Sequence, residues 1–233
     1  MLDAPSLTPA GVFDVFDEVG ETLSTFANWL PGYASWVQEV TQHADIDSTT
    51  RLVDVGCGTG RFLGAVRRKE PGADLVGVDE DRDSIILAKR RLSATPGNVE
   101  IRRSRLDRLP FDDDEFEIAT LTFVLRTVPR RMRWKILSET QRIVRPGGRI
   151  LVADRSDRGC ALARWAAAGV RLVPALPEVA GQQGTPTLDE LEAAGFEAAE
   201  RVSNTCDLGG GIEILRAYKP VIRINRQRGP RAV

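Results

Sequence analysis

The run Val53-Asp54-Val55-Gly56-Cys57-Gly58-Thr59-Gly60-Arg61-Phe62 limits this chain more than any other stretch. A short apolar strand ends, three alternate glycines make a turn, and a helix opens. Glycine accepts positive φ and lets a ligand approach the backbone, and the first N–H groups of the helix are free to meet that ligand. Asp79 follows at the end of a second strand, about 20 residues on, where a carboxylate can accept both hydroxyls of a ribose. The loop lacks the Gly-Lys-Ser/Thr of a phosphate loop. Arg61 stands where the G-x-G-x-x-G dinucleotide fingerprint needs its third glycine. The acid ahead of the loop, Asp54, would repel a pyrophosphate and suits a ligand with an ammonium group.

The spacing around this loop predicts strands over 51–55, 74–78, 99–103, 116–123 and 149–153. Helices are expected over 61–69, 83–92 and 129–145, the last stopped by Pro146-Gly147-Gly148. This alternation implies right-handed crossovers and an α/β doubly wound sheet, mostly parallel. Ahead of it, 1–48 reads as a helical cap or lid. Thr8-Pro9 starts the first helix, with Val12, Phe13, Phe16 and Val19 on one face. A second covers 21–30, and a third runs to His43 with Tyr33, Trp36, Val37 and Val40 on one face. Further on, 162–172 and 188–194 read as helices, the latter capped by Thr187. The stretches 196–204 and 211–219 read as two paired strands. The main domain therefore spans 49–219, and 220–233, with four arginines and no acid, reads as a flexible basic tail.

Composition narrows the function. The 233 residues are 42% hydrophobic and 28% charged, with a net charge of −1, which argues against a general nucleic-acid binder. No run of about 18 apolar residues suggests a membrane span. The N-terminus lacks an apolar signal stretch, and three scattered cysteines suggest neither a disulfide framework nor a zinc site. A cytoplasmic protein is the default expectation. His43 is the sole histidine, so His-centred triads and His-rich metal sites have little to be built from, and no metal is expected.

Four segments together resemble the class I S-adenosylmethionine-dependent methyltransferases, which have a Rossmann-like fold. They are VDVGCGTGRF at 53–62, VGVDED at 76–81, LPFDDDEFEIATLTFVL at 109–125 and IVRPGGRILVAD at 143–154. The resemblance implies that the chain binds S-adenosylmethionine and releases S-adenosylhomocysteine, with an antiparallel last strand in its sheet. It places Asp54 and the Gly56 carbonyl against the methionine ammonium. Cys57, Gly58 and Gly60 line the methionyl and ribosyl part. Asp79 holds the ribose, Glu80 lies beside the adenine, Leu106 borders it, and Thr122 lies near the sulfonium. One departure stands out: relatives carry an acid for the adenine amino group where this chain has Arg105, which cannot accept a hydrogen bond. Arg105 either stacks on the purine or turns to solvent, and the spacing does not bring Asp107 into its place.

The acceptor belongs at the carboxyl ends of the strands, under the N-terminal helices, where Phe16, Trp29 and Tyr33 are candidate contacts. Arg126, just past the fourth sheet strand, is a candidate clamp for an anionic group. It opens a run of five positive charges with Arg130, Arg131, Arg133 and Lys135. The same run, with the tail, offers a peripheral contact to a membrane surface. No Asn-Pro-Pro-Tyr stretch follows the fourth strand, which argues against methylation of nucleic-acid bases. A proton acceptor, if the chemistry needs one, is Tyr33, Asp154 or a group of the substrate. The expectation is methyl transfer to a small molecule, apolar with an anionic group. Two rivals stay open: a repurposed enzyme that performs a cyclisation or elimination, and a non-catalytic cofactor-binding module. The oligomeric state is not legible.

Overall fold

Strand and helix alternate from the glycine loop onward, as the apolar spacing dictates. The computed structural model describes residues 35–156 (except 94, 96 and 98), 186–207 and 210–221. In chain order the elements are α1 (Ser35–Ala44), β1 (Arg51–Val55), α2 (Arg61–Lys69), β2 (Asp74–Asp79), α3 (Arg82–Ser93), β3 (Val99–Arg103) and β4 (Phe116–Thr122). After a single 3-10 turn at Leu125–Thr127 come α4 (Arg130–Ile143), β5 (Val144–Ser156), α5 (Leu188–Ala193), β6 (Glu197–Asp207) and β7 (Gly210–Tyr218). Seven strands form one sheet in the order β3-β2-β1-β4-β5-β7-β6. All pair in parallel except β7, which runs antiparallel to both β5 and β6. The expected Rossmann-like sheet is therefore present. Its order reverses between β1 and β4, and that switch opens a crevice at the carboxyl edge.

Alternate residues of each strand feed two cores, because side chains on a strand point to opposite faces. On one face Leu52, Ile118, Leu151 and Ile214 pack against Val40 of α1, Leu63 and Val66 of α2 and Ala88 of α3. On the other, Val53, Val76, Ala119, Val152 and Leu215 pack against Ile136 and Leu137 of α4 and Leu191 of α5. The central strands are covered on both faces, so they read as nearly unbroken apolar runs.

Helix α1 spans the sheet from one edge to the other. Its last carbonyls are held at the amino edge by guanidinium groups from β5 and β7. Arg149 Nε donates to the Ala44 carbonyl at 2.7 Å, Arg149 Nη2 to the Asp45 carbonyl at 2.8 Å, and Arg216 Nη1 to the His43 carbonyl at 3.4 Å. Cations at a helix C-terminus satisfy orphan carbonyls and oppose the helix dipole favourably. His43 thus lies at the edge opposite the crevice, with Nε2 3.4 Å from Glu39. The other end of α1 brings Trp36 to the carboxyl edge.

Three expectations need correction. Pro146-Gly147-Gly148 does not separate helix from strand. Strand β5 starts at Val144 and continues through it, and α4 stops at Ile143. Gly147 takes a left-handed φ of 78°, which keeps the chain on the sheet. Its N–H donates to the Lys219 carbonyl at 2.9 Å, and the Lys219 N–H returns a bond to Gly148 at 2.8 Å. Strand β4 ends one residue early, at Thr122, for a reason given below. Arg133 is no part of an exposed basic cluster. It is 1% exposed and pairs with Glu190 of α5 at 3.3 Å. Glu190 also closes a capping box with Thr187. The helices expected over 1–34 and 162–172, and the tail beyond 221, lie outside the described residues. None of the described helices is long and apolar enough to cross a membrane.

The fold predicts that Arg149→Met detaches the end of α1. Urea unfolding should show a loss of about 1–3 kcal/mol, the range for hydrogen bonds made by a charged group. An unchanged midpoint would mean that these contacts contribute nothing.

Candidate active site

The site begins with two backbone amides on one carbonyl. Gly56 N–H and Cys57 N–H both donate to the Val78 carbonyl of β2, at 2.8 and 2.9 Å. Gly56, Gly58 and Gly60 take φ values of 79°, 51° and 75°, left-handed geometry that disfavours any side chain. A Cβ on Gly56 would come within 2.4 Å of Val124 Cγ2, so this turn also needs its bare backbone for packing. At Gly58 a Cβ would meet nothing within 4 Å. The residue therefore borders open space on that side, and its N–H donates to Asp79 Oδ2 at 2.8 Å. Asp79 Oδ1 takes the Asp81 N–H at 2.9 Å. Burial raises the pKa of Asp79, and the N–H groups of Asp81 and Gly58 oppose the rise. From α3, Arg91 Nη1 clasps the loop through the Thr59 carbonyl at 2.7 Å and hydroxyl at 2.6 Å.

Asp54 lies beneath this loop. It is fully buried, and its Oδ1 accepts the Thr120 hydroxyl of β4 at 2.7 Å. Its Oδ2 is buried with no hydrogen-bond partner among the described residues. Burial pushes its pKa up to about 7, against the pull of the Thr120 hydroxyl. Burial, then the charges of Asp54 and Asp79, push the Cys57 thiol up as well, so Cys57 is not a thiolate nucleophile.

A cleft of about 260 Å³ opens beside the loop, lined by Gly56, Cys57, Gly58, Thr59, Arg61 and Thr122, with Trp36, Phe62, Phe123 and Arg155 as its other wall. Trp36 joins the other two rings. Trp36 stacks on Phe62 with centroids 6.3 Å apart and meets Phe123 edge-on at 4.9 Å. Arg155 covers the Phe123 ring at 5.5 Å. Phe123 has a φ of 59°, a conformation that costs a bulky residue about 1–2 kcal/mol. Its N–H donates to the Ala153 carbonyl at 2.8 Å. This kink ends β4 at Thr122 and turns the ring into the cleft. Strain of this kind persists only where the surroundings enforce it.

Next along the carboxyl edge, Arg126 sits in the 3-10 turn. Its N–H donates to Asp154 Oδ2 at 2.9 Å, and the Arg155 N–H donates to Asp154 Oδ1 at 2.8 Å. Asp154 is 2% exposed. Burial raises its pKa, opposed by those two amides and by the charges of Arg126 and Arg133. The half-buried Arg126 guanidinium makes no hydrogen bond or ion pair among the described residues.

Of the expected site residues, Gly56, Cys57, Gly58 and Thr122 line the cleft. Asp79 is tied to its rim through Gly58. Gly60 makes the turn into α2, with its N–H on the Cys57 carbonyl at 2.9 Å. Asp54 underlies the loop. Glu80 Oε1 accepts the Leu106 N–H at 2.8 Å. Arg105 turns to solvent and grips Asp107 with two bonds, at 2.8 and 2.7 Å. Phe16, Trp29 and Tyr33 lie outside the described residues. Sequence reasoning missed Phe62, Phe123, Arg155 and the Arg91 clasp. Phe123 and Arg155 had a usable signal, since each sits one residue past a strand-tip candidate.

Comparison with known proteins agrees with this geometry. Residues 52–148 match a family described as a methyltransferase domain. This match spans less than half of the chain and marks that segment as similar to a methyltransferase domain. It is 27% identical over 150 residues to the demethylmenaquinone methyltransferase of Bacillus cytotoxicus, a match covering 63% of this chain and 62% of that protein. Among solved structures, a methyltransferase from Thermotoga maritima, described as a possible histamine N-methyltransferase, superposes with a TM-score of 0.63. That match has 20% identity and covers 89% of this chain and 98% of the other. The cyclase SpnF superposes with a TM-score of 0.60 at 21% identity, covering 80% and 81% of the two chains. At those identities the two structures speak for the fold alone.

The residues fit the cofactor that the sequence resemblance implies. The Cβ side of Gly58 borders open space, and the orphaned Asp54 oxygen suits a cationic ligand nearby. Two outcomes follow. Asp79→Ala should weaken S-adenosylhomocysteine binding by about 1.5–3 kcal/mol in calorimetry, as for a charged hydrogen-bond acceptor; equal affinity would remove Asp79 from the site. Because the raised pKa of Asp54 favours its neutral form, the free fold loses stability as pH rises from the ordinary carboxylate range to about 7. A bound ammonium favours the carboxylate instead. Affinity should therefore rise as pH climbs toward about 7 and level off above it, and Asp54→Asn should flatten that rise. A wild-type affinity that does not change with pH would contradict the linkage.

Proposed function

We propose that this chain transfers a methyl group from S-adenosylmethionine to a small, apolar acceptor carrying an anionic oxygen. A quinol of the kind named in the B. cytotoxicus relative fits: its ring is apolar, and its ionised hydroxyl is an anion. The observation that carries this reading is Arg126, whose guanidinium has no partner among the described residues and stands four residues past Thr122 of the aromatic-walled cleft.

When bound, the cofactor supplies a methyl carbon already activated toward in-line displacement. The chain's task is then mostly alignment, and proximity alone is worth about 7–11 kcal/mol. Asp79 and the loop amides seat the sugar and methionine, with Asp54 beneath. Trp36, Phe62 and Phe123 form a wall that admits apolar surface and keeps water out. Arg126 attracts the acceptor's oxygen and favours its ionised form, which makes the acceptor more nucleophilic without a histidine. Asp154 supports Arg126 by fixing its backbone. Both Asp154 oxygens already accept amide hydrogens, so it suits this positioning role better than that of a free base.

The test is incubation with methyl-labelled S-adenosylmethionine and a reduced short-chain demethylmenaquinone. Label should enter the apolar product with one S-adenosylhomocysteine released per turnover. Conversion without that release would favour a repurposed enzyme, and failure to bind either cofactor form would remove the reading altogether. Arg126→Ala should raise the acceptor KM about tenfold to a hundredfold, the worth of one charge-assisted hydrogen bond. It should leave S-adenosylhomocysteine affinity unchanged. Kinetics equal to wild type would return Arg126 to a surface role.

A further inference from the structure

The run of cations between 126 and 135 divides in the fold. Arg126 is half-buried beside the crevice, and Arg133 is buried against Glu190. That leaves Arg130, Arg131 and Lys135 exposed on the first turns of α4. Trp134 stands among them, 56% exposed, the largest apolar side chain left in water among the described residues. Residues three and four apart on a helix are neighbours, so Arg131, Trp134 and Lys135 share one face. Arg130 is answered by Glu190 at 3.2 Å. Arg131 and Lys135 have no ion pair or hydrogen bond among the described residues. The adjoining loop adds the exposed Arg108. Its Asp107 feels Lys135 but is held by Arg105 at 2.7 Å. The other acids bordering the face are Asp189 and Glu192, both exposed on α5 beyond Glu190.

This face is unfavourable in water. Arg131 and Lys135 repel each other at i,i+4. The helix start has no acid in its first turn and no side-chain cap, so positive charge there opposes the helix dipole. An anionic lipid surface removes both costs. Its phosphates meet the cations, and the indole takes the headgroup level, with its ring in the apolar side and its N–H toward water. A nucleic acid is also anionic, but single strands are held by several rings along a basic groove. Here one ring stands on a convex helix, in a chain of net charge −1. We infer that the exposed face of α4, Trp134 with Arg131 and Lys135, docks on an anionic lipid bilayer. The inference does not rest on the methyl-transfer reading. Helix α4 starts directly after the turn that holds Arg126, so docking sets the crevice next to the bilayer. One ring and a few cations give weak, reversible attachment rather than a permanent anchor.

The experiment is cosedimentation of the full chain with vesicles of phosphatidylcholine, with and without phosphatidylglycerol. Wild type should bind the mixed vesicles, less as salt rises, and should bind the neutral ones far more weakly. Each cation near an anionic surface is worth about fivefold in partitioning. Arg131→Gln with Lys135→Gln should therefore weaken binding about twentyfold to thirtyfold. Lys89→Gln with Arg90→Gln, the same change of charge on the exposed side of α3, should leave it unchanged. Brominated lipid in the mixed vesicles should quench the wild-type fluorescence, and Trp134→Phe should lose most of that quenching. All these positions are exposed, so the variants keep the fold. Equal binding to neutral and mixed vesicles would overturn the inference, as would binding to neither. So would an equal loss from the α3 pair, or quenching that Trp134→Phe does not change. A single-stranded oligonucleotide that binds wild type but not the α4 variant, with no vesicle binding, would reassign the face to nucleic acid.

Discussion

The bond pair from Gly56 and Cys57 to the Val78 carbonyl is the constraint on which the rest of the site depends. It locks the turn after β1 to the end of β2. That fixes where the Gly58 amide points and lets Asp79 reach back to it across 2.8 Å. A shift of either strand by one residue would turn Asp54 to the opposite face and part Gly58 from Asp79, because side chains alternate along a strand. The register of β1 against β2, Asp54 opposite Gly77 and Val55 opposite Val78, is therefore part of the binding geometry. Gly77 belongs to the same device. A Cβ there would come within 2.9 Å of the Cys57 sulfur and closer still to Leu63 and Ile101, so a bare position lets the loop settle onto the sheet.

Buried charge gathers along this carboxyl edge. Asp54, Asp154, Glu213 and Arg133 are each no more than 3% exposed. Taking such groups out of water is costly unless each finds partners. Asp154 finds two amides, Asp54 a hydroxyl, Arg133 the Glu190 carboxylate, and Glu213 the Arg201 guanidinium at 3.2 Å. Among the described residues Asp54 alone of these acids keeps a buried oxygen with neither hydrogen bond nor ion pair, and it lies beneath the glycine loop. An incompletely satisfied carboxylate is a poor choice for stability and a good one for attracting a cation. The bound state can then stabilise the site more than the free state does.

The sheet was legible because its signals are local. Glycine spacing, alternating apolar runs and strand-tip acids each act within ten residues, so the succession of strands and helices and the places of Asp54, Gly58 and Asp79 at strand and loop could be read directly. What escaped depends on distant packing. Arg133 looks like a member of a charged helix face, and only the arrival of α5, more than fifty residues later, buries it against Glu190. Pro146-Gly147-Gly148 reads as a stop because its partner, Lys219 at the far end of β7, is invisible to a local pattern. Phe123 looks like the last residue of a strand. Its left-handed turn is enforced by Ala153, Trp36 and Arg155, which come from two other elements. The Arg105 departure was legible, but the bond from the Leu106 N–H to Glu80 was not, since only folding brings 80 and 106 together.

Charge along the crevice is mixed on both sides of the switch between β1 and β4. On the β1–β3 side the acids Asp54, Asp79 and Glu80 stand with Arg61, which lines the cleft, and Arg91, which holds the loop. On the β4–β5 side the cations Arg126 and Arg155 stand with the buried Asp154, which accepts both of their backbone N–H groups. On the proposed reading, the buried Asp54 with its orphaned oxygen attracts the positive groups of a sulfonium amino acid, and Arg126 attracts an anionic acceptor. Charges at close range in a partly desolvated site act strongly on one another. The aromatic wall of Trp36, Phe62 and Phe123 lies at the switch, where an uncharged surface lets opposite charges approach without water between them.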